Sequence, residues 1–406
     1  MLRNNAKVLV VFSDNGLGGT SRSALTSCFA WKLIGYNVIV CATKGVTPSR
    51  ENGFASQGLL VNRISDICWD NVEVVHFHYS SYSSGQQSAI DSLTDAALSL
   101  GSSAPKLVVS NIFAIPDGSF KRWPVKWCTT VLGDWAAMQY RLSDFGLQQK
   151  PFVVGNGQDS VFFRPPSAEE RKDARKRIGI PVDERVILRI GSPHQGKWSK
   201  SYLRLADACR NTRMKMILVG APAELSASVR GNPRCMTVER VDDDNELREL
   251  YWASDCFALD AIRGESFGNV ILEALGSGLP VVYRARELRD NTPWEFRSLP
   301  GFSYVTSKKT FIKEATRICL DYKQVAGDGG RLDGVKVAAD YSIGAISSKL
   351  KTIVDRLNES VGAGKVQNLD CLDIPATKFI KSFILHNPFG AYLKQVRLEV
   401  RSKWRR

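Results

Sequence analysis

The feature that most constrains this chain is an alternation, repeated in both halves, of short apolar runs with helix-length segments. "AKVLVVFS" leads into "GGTSRSALTSCFAWKLIGY", whose apolar spacing is helical, and then into "NVIVCAT". "EVVHFHY", "KLVVSNIF", "WCTTVLG" and "PFVVGNG" continue the first half; "RVILRIGSP", "MKMILVGAP", "CMTVERV", "CFALDAI" and "LPVVYRA" form the second. Strands separated by helical lengths build βαβ units and parallel sheets. "NGQDSVFFRPPSAEE" interrupts the pattern with turn residues, two prolines and a change to charged sequence, which predicts a domain boundary. The expected division is residues 1–165, residues 166–358, and a linker with a basic helical tail over 359–406. Two doubly wound, Rossmann-like α/β domains in tandem face each other across a cleft at the carboxyl ends of both sheets.

Composition narrows the class. The 406 residues, 44% hydrophobic and 24% charged, suffice for two full cores. No stretch approaches the ~20 uninterrupted apolar residues of a membrane span, and the N-terminal run reads as a first strand rather than a signal peptide. Nine cysteines, odd in number and without CxxC pairs, point to reduced thiols in a cytoplasmic protein rather than to disulfides or a zinc site. Charge is uneven. Residues 376–406 hold eight basic side chains against Glu399, a net +7 of the chain's formal +14.

Two stretches carry candidate chemistry. "SDNGLGGTSRSAL" joins the first strand to its helix, with Gly16, Gly18 and Gly19 letting backbone N–H groups approach an anion. Its spacing is not GxGxxG, and no acidic residue follows the second strand, which weakens a nicotinamide-binding reading. In "GESFGNVILEALGSGLPVV" (264–282), Glu265 precedes a short helix and Glu273 lies within it. At ~1.5 Å rise per residue they stand roughly 10 Å apart along the axis, too far for one metal but suited to an extended ligand over the helix N-terminus. His76 and His78 share one face of a strand, with no carboxylate or thiol cluster beside them to complete a metal site.

Together these pieces resemble the retaining glycosyltransferases of the GT-B fold, specifically family 4 (group 1), over about residues 7–358. The E-x7-E pattern from Glu265 to Glu273 is the most specific part. "GLGGTSR", "VVHFHY", "VVGNGQDSVFFRP" and "VILRIGSPHQGKWSK" support it in the right order. The resemblance implies that Glu265 contacts donor-sugar hydroxyls, that backbone N–H groups at Phe267, Gly268 and Asn269 meet sugar and phosphate, and that Glu273 binds the ribose. It also implies that Lys197 neutralises the departing diphosphate, that Gly18 and Gly19 lie at the donor, and that His78 faces the cleft. No cofactor or metal is implied beyond the nucleotide-sugar donor.

The sequence departs from the family pattern twice. Ser192 stands where an arginine is expected, with Arg189 nearby on the preceding strand, and Asn111 stands where many members carry a histidine. His194, in the Lys197 loop, is a further candidate hydrogen-bond donor to phosphate, and Asp117 in "AIPDG" a candidate acceptor contact. The implied function is sugar transfer to a glycan or glycolipid hydroxyl in surface polysaccharide biosynthesis. Rivals are a GT-B epimerase or phosphorylase, and a nucleotide-sugar-binding member that has lost turnover. The tail interleaves aromatic and aliphatic residues with its cations, a composition suited to an interfacial helix on an anionic membrane. Packing against the N-terminal domain or a partner is the alternative; no nucleic-acid motif is present.

Overall fold

In the computed structural model the described residues are 5–13, 18–80, 86–114, 119–134, 136, 137, 140, 151–262, 264–285, 292, 294–297, 299–321 and 328–359. Gly16, Asp117 and the basic tail lie outside them.

The N-terminal domain runs β1 (Lys7–Phe12), α1 (Gly19–Ile34), β2 (Asn37–Ala42), α2 (Pro48–Ala55), β3 (Gly58–Val61), β4 (Val72–Tyr79), α3 (Gln86–Leu100), β5 (Lys106–Asn111), β6 (Trp127–Val131) and β7 (Phe152–Val153). Its sheet has the order β3-β2-β1-β4-β5-β6-β7, with every pairing parallel. Helices cover both faces of β1, so "KVLVVF" is apolar almost throughout instead of alternating. Small residues on the inner side of α1 (Ser23, Ala24, Ser27 and Ala30, all buried) let that helix lie close to the sheet.

The C-terminal domain continues with α4 (Ala168–Ile178), β8 (Arg185–Ile190), α5 (Ser201–Cys209), β9 (Met214–Val219), α6 (Ala223–Val229), β10 (Cys235–Val238), α7 (Asp244–Ala253), β11 (Cys256–Ala261), α8 (Asn269–Gly276), β12 (Val281–Ala285), α9 (Trp294–Arg297), β13 (Phe302–Tyr304), α10 (Lys308–Leu320), α11 (Asp328–Ala339) and α12 (Ile343–Glu359). Its parallel sheet has the order β10-β9-β8-β11-β12-β13. "PSAEER" starts α4 through a capping box: Glu170 N–H donates to Ser167 Oγ, and Ser167 N–H donates to Glu170 Oε2. From α4, Arg171 and Arg175 reach the fully buried Asp255, which also pairs with Arg185 and anchors the helix to the sheet. Unpaired, that carboxylate would be costly to bury.

Two findings differ from the sequence reading. The short strands β3 and β13 are not anticipated, because "GLLV" and "FSY" are only three or four residues long and lack an apolar run between turn signals. More consequentially, residues 343–358, expected in the C-terminal domain, return to the N-terminal one. Ile346, Leu350, Ile353, Val354 and Leu357 of α12 join the core formed by β1, β2 and α1. The chain therefore crosses between domains twice. The crossings are tied together: Gln158 N–H donates to Tyr341 O, and Ile343 N–H donates to Gln158 O.

Candidate active site

A cavity of about 330 Å³ lies between the domains, at the carboxyl ends of both sheets. Gly18, Gly19 and Arg22 from the start of α1, with Ile112 and Phe113 after β5, form its N-terminal wall. The β8 loop (Gly191, Ser192, Lys197) and the loop into α8 (Glu265, Ser266, Gly268, Asn269, Glu273) form the opposite wall.

The α8 side is set by backbone geometry. Gly268 caps the helix with φ 89° and ψ 57°, a left-handed conformation, and a Cβ there would come within 2.8 Å of Ile271 Cδ1. Only glycine fits both demands. The first turn of α8 thus presents backbone N–H groups and the positive end of its dipole to the cavity. Gly19 approaches from the other domain so closely that a Cβ on it would lie 3.8 Å from Asn269 Nδ2. Asn156, in the interdomain crossing, joins the two sides: its Nδ2 donates to Asn269 Oδ1 at 2.8 Å, and its Oδ1 accepts from Ser23 Oγ at 2.7 Å.

The two carboxylates have distinct surroundings. Glu265, almost buried, accepts from Lys197 Nζ at 2.5 Å. Lys197 ends a short 3₁₀ turn whose Gly196 N–H donates to His194 Nδ1, so His194 caps this turn and does not line the cavity. Glu273 is buried and accepts from Tyr251 Oη at 2.8 Å, with Arg22 Nε 3.8 Å from its other oxygen. Burial pushes the Glu273 carboxyl above its ordinary range; Arg22 and the Tyr251 hydroxyl oppose that shift. Burial and the nearby Glu273 carboxylate raise the Tyr251 phenol well above its usual value, keeping it a hydrogen-bond donor.

Sequence reasoning did not single out Arg22, Arg50, Arg240, Tyr251 or Asp244. Arg22 stands inside the quoted "GLGGTSR", but its reach to the other domain is a tertiary fact. Arg22 and Arg50 both pair with Asp244 at the N-terminus of α7, at 2.6 and 3.2 Å. Five cations line the cavity (Arg22, Arg50, Arg189, Lys197, Arg240) against Glu265 and Glu273, with Asp244 and Asp242 just outside pairing three of them, and the remaining positive charge favours an anionic ligand.

Two expectations need correction. His78 is buried under α1, with Nδ1 3.4 Å from Ser23 Oγ, and does not line the cavity; burial first, then neighbouring His76, pull its pKa well down. Asn111 is also buried at the end of β5 and outside the lining, where the next two residues, Ile112 and Phe113, take the wall. The Phe267 side chain packs into the core against Phe296 and Tyr341, so the expectation for this residue, which concerned its backbone N–H alone, is not contradicted. Strand residues alternate between faces, and pattern alone does not say which face a helix covers. Among the described residues no three His, Cys, Asp or Glu side chains group as a metal site, and no helix is long and apolar enough to cross a membrane.

Comparison with known proteins bears on this geometry. Residues 184–291, which include the Lys197 loop and α8, match the family model "Glycosyl transferases group 1". D-inositol 3-phosphate glycosyltransferase of Corynebacterium aurimucosum is 29% identical over 146 residues, 33% of this chain and 34% of that protein. The enzyme of the same name from Mycobacterium bovis is 32% identical over 148 residues, 33% of this chain and 28% of that protein. The chain thus spans about a third of the length of the curated relatives it matches. Among solved structures, Anabaena Alr3699/HepE in complex with UDP-glucose superposes with a TM-score of 0.67 at 14% identity, covering 86% of this chain and 99% of that one. WaaG, a glycosyltransferase involved in lipopolysaccharide biosynthesis, gives 0.63 at 12% identity, covering 88% and 100%. Residues 184–291 therefore match a group 1 glycosyltransferase domain, carried on a chain with the GT-B fold.

Proposed function

We propose that this protein is a retaining glycosyltransferase that moves a sugar from a nucleoside diphosphate donor to a glycan or glycolipid hydroxyl, without a metal. The observation that carries this reading is the pairing of Lys197 with Glu265 beside the N-terminus of α8, with Glu273 further along the same wall. In this arrangement the diphosphate lies against Lys197 and the α8 amides, Glu265 accepts from sugar hydroxyls, and Glu273 accepts from the ribose. The C1–O bond to phosphate breaks and its electron pair leaves with the diphosphate. The acceptor oxygen bonds C1 from the same face, and its proton passes to the departing phosphate oxygen. Fixed positive charge at the leaving group is the main electrostatic requirement of that step.

Transfer from a panel of nucleotide-sugars tests the reading. Activity should survive EDTA, and Lys197→Ala should lower kcat by roughly 100-fold or more, as the loss of a preorganised charge at the transition state does. Abolition by EDTA with rescue by manganese would exclude this mechanism. Ser192, which leaves the β8 loop one cation short, favours a second reading, a donor-binding protein without turnover. Donor binding with neither transfer nor hydrolysis would establish that one instead.

The setting we infer is assembly of a surface polysaccharide or glycolipid on the cytoplasmic face of a membrane, supported by the basic, aromatic-rich sequence of residues 376–406. Vesicles containing anionic lipid should bind the full chain and release it as salt rises, each Lys or Arg contributing about 1 kcal/mol near the surface. Indifference to anionic vesicles at low salt would remove this inference.

A further inference from the structure

The five cations lining the cavity are not equivalent. Arg22 and Arg50 pair with Asp244, Lys197 with Glu265, and Arg240 with Asp242. Of these five, Arg189 alone has no carboxylate partner among the described residues, although it is also the most buried of them, at 1% exposure. Its hydrogen bonds go to backbone carbonyls at both ends of the β8 loop: Nη1 donates to Ile190 O, and Nη2 to Lys197 O at 2.7 Å. The guanidinium lies 4.7 Å from the Trp198 ring centroid, and Trp198 Nε1 in turn donates to Ser192 O. It also presses against the loop from below, since a Cβ on Gly191 would meet Arg189 Nη2 at 3.0 Å and Cζ at 3.2 Å. Its buried Nε has no hydrogen-bond partner.

A buried charge without a counter-ion is unfavourable, and carbonyl dipoles and a π face offset it only in part. The missing negative charge has one place to come from, the cavity that Arg189 helps to line. We propose that Arg189 is the second cation of the phosphate subsite, acting from beneath the β8 loop. It does two things there: it fixes the Lys197 backbone by holding the Lys197 carbonyl, and it supplies positive charge that a bound diphosphate compensates. This deepens the nucleoside diphosphate reading above and rests on it. It also explains how a loop with Ser192 at its tip retains two cations for one diphosphate.

Charge and scaffolding separate by substitution. Arg189→Lys keeps the charge but not the two-ended fork; Arg189→Gln keeps a donor for one carbonyl but no charge. Calorimetric titration of each variant and the wild type with UDP, GDP, ADP, CDP and dTDP, and with the matching nucleosides, gives the comparison. For the diphosphate the wild type binds most tightly, Arg189→Gln should bind roughly tenfold weaker or worse and Arg189→Lys within about threefold of wild type. Nucleoside affinity should be unchanged in both. Arg189→Met replaces Arg189→Gln if the latter does not melt cooperatively. Equal losses in the Lys and neutral variants, or a neutral variant with wild-type diphosphate affinity, would overturn the assignment while leaving the transferase reading intact. A folded wild-type chain that binds none of the diphosphates would overturn both.

Discussion

Glu273 shows how a single residue can be costly to the fold and still be retained. It sits inside an apolar helix, and burial works against its charge. Tyr251 Oη satisfies one oxygen, while the other faces Arg22 across 3.8 Å, on the cavity side. In the proposed donor site, replacing this acceptor would remove charge-assisted hydrogen bonding to the ribose, on the order of 1.5–3 kcal/mol. Glu273→Gln should therefore weaken nucleotide binding about 10- to 100-fold while its melting temperature stays level or rises, because a desolvated charge is gone. Calorimetry alongside thermal melting checks this; a folded variant with wild-type donor affinity would remove the ribose role.

At the scale of elements, α1 connects the glycine loop to the β4 histidines. Its Trp31 Nε1 donates to His76 Nδ1 at 2.9 Å, which leaves the proton of the neutral ring on Nε2, donated to Ser110 Oγ at 2.7 Å. Protonating Nδ1 would set two N–H groups against each other. Burial accordingly lowers the His76 pKa to about 3. The sign follows: a base whose folded pKa is depressed contributes full stability above its ordinary value near 6.5 and loses it as pH falls toward 3. By pH 5 the loss is on the order of 2 kcal/mol, at ~1.36 kcal/mol per pH unit below 6.5. The melting temperature should drop from pH 7 to pH 5, and the slope should be shallower in His76→Asn. Identical slopes would show that the pair does not control this dependence.

For the whole molecule, the described ion pairs between domains converge on one spot: Arg22 and Arg50 from the N-terminal side, Asp244 and Glu273 from the C-terminal side. Burial raises the Asp244 carboxyl, but Arg22 and Arg50 outweigh it and hold the net value below the ordinary 3.8. A depressed carboxylate stabilises above its ordinary pKa and loses that contribution as pH falls through the folded value. The Asp244 ion pairs are therefore intact at neutral pH and are lost only below about pH 4. Asp244→Asn should increase the radius of gyration at pH 7 by small-angle scattering and, in the proposed site formed by both walls, weaken donor binding. A variant with the wild-type scattering profile would show that the crossings at Gln158 and Tyr341 alone set the domain angle.

Local periodicity determined a good deal. Near-continuous apolar runs separated by 3.6-period segments specify two parallel α/β sheets, "NGQDSVFFRPPSAEE" marks the first crossing, and the glycine before "NVILEALG" marks where α8 begins. These are short-range constraints, written in residues a few positions apart. The tertiary structure decided what depends on distant partners. The apolar face of α12 requires a sheet to cover, but nothing in its pattern names which one, and it returns to the first domain. His78 and Arg189 lie on strands whose two faces are both buried, so alternation cannot say whether a side chain meets a helix, a loop or the cavity. Arg22 and Asp244 are 222 positions apart, and only the closed cleft brings them to 2.6 Å. Sequence fixes which groups are available; packing of two domains against each other fixes which of them meet.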